Sequence, residues 1–337
     1  MSWFEEITGT DEHSFILNYC NQRNKGIDPI SKEIINIKTG QHFKTSTLLI
    51  ITLNELLSIT NHSISLSTNI KTEKIPKIKL LFGENADVKI LQRKMKSAVF
   101  LVASNFDGLE HKRENTNLLT PNFITSYSKD HTQGPSAALC SPAAAIYRSC
   151  YCGYSAISKD SDSFKNSLEN LNDIYHVENG YANLTKLNGD LMKLNDAGLY
   201  KVIIHENLDI LSTDFKEIVS SNKIDQVYGA AINIKQREIG KINKNICDKY
   251  PQILYYPLYC AYLATYLTSI KNNRKNIVLT LLGGGVFGNP LNMIMDAIIN
   301  VHKQLSNYLN SVENVYLSLF KCSAKDKKYI MDRLTEL

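Results

Sequence analysis

Near its end the chain carries an apolar run cut by glycine. Asn276-Ile-Val-Leu-Thr-Leu-Leu-Gly-Gly-Gly-Val-Phe-Gly-Asn-Pro290 leads straight into the amphipathic Leu291-Asn-Met-Ile-Met-Asp-Ala-Ile-Ile-Asn-Val-His302. The spacing predicts a buried strand over Ile277–Leu282 and a helix over Leu291–Leu305. Gly283, Gly284 and Gly285 break the strand, and Gly288 and Pro290 close a tight loop. Glycine leaves backbone N–H groups open where a Cβ would screen them. The loop also ends at a helix N-terminus, whose unpaired donors and dipole favour anions. Such a unit either cradles a phosphate or is a plain strand-to-helix turn. The Walker lysine and the dinucleotide G-x-G-x-x-G are both absent.

The 337 residues are 43% hydrophobic and 21% charged, which is the balance of a globular protein. The net charge of +5 suits an anionic ligand but comes without the dense basic stripe of a nucleic-acid binder. Seven irregularly spaced cysteines read as reduced thiols, and Cys150-Tyr-Cys152 is too close for a usual zinc pair. The acidic N-terminus is no secretory signal, and the apolar window Leu48–Leu57 is too short to span a bilayer. The expected location is cytoplasmic, or a host cytosol into which the protein is delivered.

A helix is expected near His13–Gln22, a strand over Glu33–Lys38 and an amphipathic segment over Ser46–Thr60. The polar stretch His62–Lys74, followed by Pro76, marks a boundary between an N-terminal extension (1–75) and the main domain (76–337). Beyond it strands alternate with helices. Strands are expected at Ile78–Phe82, Val88–Leu91, Ala98–Ala103, Ile174–Val177, Lys201–Ile204, Val227–Ile234 and Val315–Phe320. Helices are expected at Pro135–Arg148, Pro257–Ile270 and Lys325–Leu334, with Tyr147 and Arg148 read as packing and surface residues. This alternation predicts a mixed α/β sheet between helices, with ligands beyond the carboxyl ends of its strands.

Strand Ala98–Ala103 runs into Ser104-Asn-Phe-Asp-Gly-Leu-Glu110, which sets polar groups at the sheet's carboxyl edge or simply makes a turn. Farther on, Asp130, His131, Thr132 and Gln133 gather ahead of Gly134-Pro135 and a small-residue helix. A carboxylate there could orient or deprotonate a water, or cap the helix.

In order along the chain, these segments resemble the macrodomain family of ADP-ribose-binding modules. Lys79–Leu91 is similar to the family's opening strand and turn. Ala98–Asp107 stands where macrodomains carry an Asn-bearing strand end. Leu282–Pro290 resembles the second phosphate loop, with its Gly-Val/Ile-Tyr/Phe-Gly-x-Pro core. The similarity covers roughly residues 77–337, with an insertion around 157–225. The family's Asn-Ala-Ala-Asn first loop is absent, and Ala103–Glu110 and Asp130–Pro135 take its place. That combination is most similar to the divergent macrodomain-like ADP-ribosylhydrolases typified by the bacterial effector MavL, which removes ADP-ribose from arginine on ubiquitin. The glutamate pair of poly(ADP-ribose) glycohydrolases is not evident, which disfavours chain degradation.

The resemblance implies an α/β fold, a macrodomain-like mixed sheet sandwiched between helices, with an N-terminal α+β extension. It implies an enzyme that cleaves an ADP-ribosyl-protein N-glycosidic bond, arginine-linked and on ubiquitin in its finest form. The alternative is a reader that binds ADP-ribose without cleaving it. Asp130 and Asp107 are the implied catalytic carboxylates. Asn105, Phe106, Glu110, Thr132, Gln133 and Gly134 would bind ligand on one side. Gly283, Gly284, Gly285, Val286, Phe287, Gly288 and Asn289 would do so on the other. No metal or cofactor is expected; ADP-ribose is ligand or product. The partners are ADP-ribose or an ADP-ribosylated protein, with no nucleic acid and no membrane.

Overall fold

The computed structural model describes residues 1–66, 75–160, 163–219 and 223–337. Most of the expected boundary stretch, residues 67–74, lies outside the described residues. The chain opens with helices α1 (Trp3–Thr8) and α2 (Glu12–Arg23) and a small hairpin of β1 (Glu33–Ile35) and β2 (His42–Lys44). Strand β3 (Thr47–Thr52) and helix α3 (Leu53–Leu66) follow, then β4 (Ile78–Phe82), α4 (Val88–Lys94) and β5 (Ala98–Ala103). Helices α5 (Gln133–Ala138) and α6 (Pro142–Ile157) precede a second hairpin, β6 (His176–Glu178) and β7 (Tyr181–Asn183). The remainder runs β8 (Lys201–Leu208), β9 (Ile224–Gly229), α7 (Arg237–Lys249), α8 (Pro251–Lys271), β10 (Asn276–Thr280), α9 (Leu291–Leu305), β11 (Asn314–Leu319) and α10 (Ala324–Leu334).

Seven strands form one mixed sheet in the order β3-β8-β9-β5-β10-β11-β4. From β9 to β4 every pairing is parallel, and β8 runs antiparallel to both β9 and β3. Helices cover both faces, so the inner strands are apolar on both sides. In β5, Val99 and Leu101 enter one core with α8 and α9, while Ala98, Phe100 and Val102 enter the other with α1, α2 and α6. The period of two therefore decides which core each side chain joins. No described helix is long and apolar enough to cross a membrane.

Four expectations are corrected. Val88–Leu91 is helical, because Asp87 accepts the Lys89 N–H at 2.8 Å and so caps a helix start. Ser46–Thr60 divides into β3 and α3 at a reciprocal cap, in which Glu55 accepts from the Thr52 N–H and hydroxyl and donates its own N–H to the Thr52 hydroxyl. The helix expected over Pro135–Arg148 breaks at Leu139–Ser141, and Pro142 opens a second one that runs to Ile157. Helix α8 begins six residues before Pro257, which sits inside it. That proline cannot donate to the Ile253 carbonyl, and the Tyr175 hydroxyl donates there instead at 2.8 Å.

A candidate active site where two central strands part

Strands β5 and β10 pair only as far as Phe100 opposite Val278. Beyond that rung they part, and two side chains take over the freed backbone groups. Gln133 accepts the Ala103 N–H at 2.7 Å and donates to the Leu101 carbonyl at 2.9 Å. On β10, the Tyr262 hydroxyl donates to the Thr280 carbonyl at 2.8 Å and accepts the Leu282 N–H at 3.2 Å. A cleft of about 680 Å³ opens in the gap, beyond the carboxyl ends of the parallel strands.

One wall is the glycine loop. Gly283, with φ +72°, and Gly288, with φ +73°, adopt the left-handed conformation that disfavours side chains. A Cβ on Gly283 would stand 2.5 Å from that of Ala231. Asn289 is buried and staples the loop, its amide reaching the Ile232 carbonyl at 2.8 Å and its N–H the Gly283 carbonyl at 3.0 Å. The N–H groups of Gly285, Val286, Phe287 and Gly288 donate to no acceptor among the described residues. Gly285 and Val286 are exposed, and α9 begins just after, with no side chain capping it. Gly283, Gly285, Val286 and Phe287 line the cleft; Gly284, Gly288 and Asn289 do not.

The opposite wall is made of side chains. Asn105, Glu110, Asp130, Thr132, Gln133 and Gly134 all line the cleft. Asn105 is already committed in part, since its Oδ1 accepts the His111 N–H at 3.0 Å and ties the loop ends together. Asp130 uses Oδ1 to accept from the Thr132 N–H and hydroxyl, at 2.8 and 2.7 Å. Phe106 is core, 1% exposed. Asp107 does not line the cleft; it is buried behind, where its Oδ2 lies 2.6 Å from His111 Nε2 and its Oδ1 accepts the Leu109 N–H. Lys112, Arg113 and Lys129 sit on the rim, and none of the three forms an ion pair among the described residues. They make the mouth attractive to anions.

Below this wall lies a cluster that the sequence reading left out. Arg148, expected at the surface, is fully buried. Its Nη1 donates to the Gly108 carbonyl, and its guanidinium lies 4.0 Å above the Tyr228 ring. Among the described residues Nε and Nη2 have no hydrogen-bond partner, and neither does the shielded Oε1 of Glu110. Burial lifts the Glu110 carboxyl well above the ordinary carboxylate range; Arg148 opposes the rise, and Asp130 and Asp107 add to it. Gly134 is obligatory beside it, because a Cβ there would lie 2.5 Å from Glu110 Oε2 and 2.2 Å from the Ala103 carbonyl. The only sequence signal for Arg148 was a charge within a helix of small apolar residues, where no polar face awaited it.

A second hollow of about 650 Å³ adjoins the cleft and shares Arg113 and Tyr181 with it. Glu114, Glu178 and Arg237 also line it, and Arg237 pairs with Glu114 at 3.4 Å. Among the described residues no group of three or more histidines, cysteines or carboxylates could hold a metal.

No protein-family model matches the chain, and no curated protein is similar to it. Among solved structures, a poly(ADP-ribose) glycohydrolase from Thermomonospora curvata aligns over 96% of this chain and 98% of its own, at 10% identity and a TM-score of 0.47. A poly(ADP-ribose) glycohydrolase from Deinococcus radiodurans in complex with ADP-ribose aligns over 86% and 95%, at 11% identity and a TM-score of 0.45.

Proposed function

We propose that the cleft binds ADP-ribose and that the chain hydrolyses an ADP-ribosyl–protein bond. One observation carries this reading: open backbone donors on one wall face carboxyl groups on the other, across a hollow of about 680 Å³. A ligand that satisfies both walls has a diphosphate for the N–H groups of Gly285–Phe287 and an electrophilic sugar carbon for the carboxyls. The volume falls in the range of small-molecule sites, roughly 300–1,000 Å³.

In this reading the glycine loop and the start of α9 hold the pyrophosphate, and Lys112, Arg113 and Lys129 draw it in. Asp130, with Oδ2 unused by protein, takes a proton from the water that attacks the anomeric carbon and stabilises positive charge there. Asp107 acts from behind by fixing His111 and, through it, the loop that carries Asn105 and Glu110. The resemblance to MavL-type hydrolases supports an arginine linkage, with ubiquitin as the carrier. The carboxylates Glu114 and Glu178 of the adjoining hollow are suited to a cationic side chain.

The test is incubation with arginine-, glutamate- and serine-linked ADP-ribosyl proteins, with detection of freed ADP-ribose and calorimetry of ADP-ribose binding. Release from the arginine-linked protein is expected. Binding without release from any linkage would make the chain a reader. No heat with ADP-ribose would remove both readings.

A further inference from the structure

Glu110, half-buried on the cleft wall, and Arg148, fully buried beneath it, are two charge-bearing groups with no part in the hydrolytic steps proposed so far. Arg148 is 0% exposed. Its Nη1 is spent on the Gly108 carbonyl, while Nε and Nη2 carry no hydrogen-bond partner among the described residues. Those two N–H groups are the side of a guanidinium that grips a carboxylate with two parallel bonds. A buried cation with an empty fork is costly unless a partner arrives during function. Glu110 is that partner's best candidate. It lines the cleft, its Oε1 is shielded and unpartnered, and Arg148 is the charge that acts on it most strongly.

We propose that Glu110 is a catalytic residue that protonates the departing group, and that Arg148 is the positioning cation that stabilises the carboxylate left behind. The inference rests on the hydrolytic reading above and adds the acid that it lacks. As the bond from the anomeric carbon to the leaving atom breaks, its electron pair stays on the leaving atom, which takes the Glu110 proton. The attacking water bonds to the anomeric carbon and gives a proton to Asp130. Return of that proton from Asp130 to Glu110 through solvent restores the site, and one water is consumed.

The surroundings of Glu110 favour its protonated form. Asp107 of its own loop, Asp130 ahead of α5, Tyr127 of the turn Thr125–Lys129, Tyr228 of β9 and Arg148 of α6 all act on this pocket. Two carboxylates and burial favour the neutral acid, and the guanidinium alone favours the anion. Tyr127 and Tyr228 stay neutral, burial raising both and pushing Tyr228 up to about 12.

The experiment uses the full chain with carbon-labelled glutamate carboxyls. In the unmodified protein one carboxyl is expected to titrate above all others, and Glu110→Gln should remove that signal. Arg148→Lys, which keeps the charge and loses the fork, should move the signal to higher pH. Turnover on the ADP-ribosylated protein should fall about 100-fold in Glu110→Gln, with the basic limb of its pH–rate profile gone. In Arg148→Lys that limb should move to higher pH, with ADP-ribose affinity within about twofold of the parent. Near-normal turnover in Glu110→Gln, or an unshifted carboxyl in Arg148→Lys, would overturn the assignment. If either variant fails to fold, the unmodified chain still decides, because absence of any high-titrating glutamate refutes it. The carboxyl titration needs no nucleotide, so a chain that gives no heat with ADP-ribose yet shows the coupled pair would fail only the hydrolytic reading.

Discussion

The two walls of the cleft are built from opposite materials. The glycine loop presents backbone and hides its side chains; the wall across from it presents side chains anchored in a buried polar cluster. Backbone donors cannot be mutated away singly, but they depend on conformations that only glycine adopts without strain. Side-chain groups are replaceable one at a time, but their ionisation depends on everything packed behind them. The division suits a site in which one wall holds a constant ligand part and the other performs proton transfer.

The sharpest way to break this contrast is Asp130→Asn. It keeps an oxygen for Thr132, so the fold and ADP-ribose binding should persist, while turnover falls about 10²- to 10⁴-fold. Near-normal release of ADP-ribose from every linkage would end the division of labour. Acid should weaken the supports of both walls. His205, beneath the carboxyl wall, is held down to about 3 by burial and by Arg148, and His302 of α9 to about 4 by burial. Both are neutral in the fold, and the unfolded chain binds more protons between those values and 6.5. Their stabilisation is therefore complete above pH 6.5 and drains as pH falls, by about 1.4 kcal/mol per unit for each. Glu110 works in the opposite sense, since its raised pKa favours the fold at low pH. Urea midpoints from pH 7 to 4 measure the sum, and a flat profile would refute it.

A smaller effect sharpens the glycine wall. Gly283→Ala should cost about 1–3 kcal/mol, because its backbone is left-handed and Ala231 blocks the new Cβ. Asp107→Asn should cost about as much by leaving the His111 contact poorly satisfied, with turnover per folded molecule falling less than in Asp130→Asn. A loss as large as that of Asp130→Asn would return Asp107 to the chemistry. Gly285→Ala closes the series: nothing lies within 4 Å of its Cβ, so stability should change by less than about 0.5 kcal/mol. Equal losses at Gly283 and Gly285 would mean that the loop is not held as described.

What could be read from sequence follows the same contrast. The strand before the glycines and α9 after them were legible because a period of two gave way to one of 3.6 at a glycine break. Most residues of the first wall were legible as turn and strand-end chemistry. Arg148 was not, because burial of a charge is decided by Gly108 and Glu110 of one loop and Tyr228 of β9, which lie on two other segments. Asp107 and Glu110, three residues apart on one loop, could not be told apart either: the tight winding of residues 105–111 turns one inward and the other toward the cleft. Local pattern carries no information about such a turn.

Gln133 has a further consequence. Its amide stands in for a peptide unit of a strand that is not there, and with Tyr262 opposite it keeps two neighbouring strands from zipping to their ends. The binding site is thus an arrested ladder, and its aperture is set by the length of one side chain. A shorter amide at position 133 would leave the Ala103 and Leu101 backbone groups seeking each other's nearest substitute, which is β10 itself. Gln133→Asn should therefore narrow the mouth of the cleft, and calorimetry should read that as weaker ADP-ribose binding.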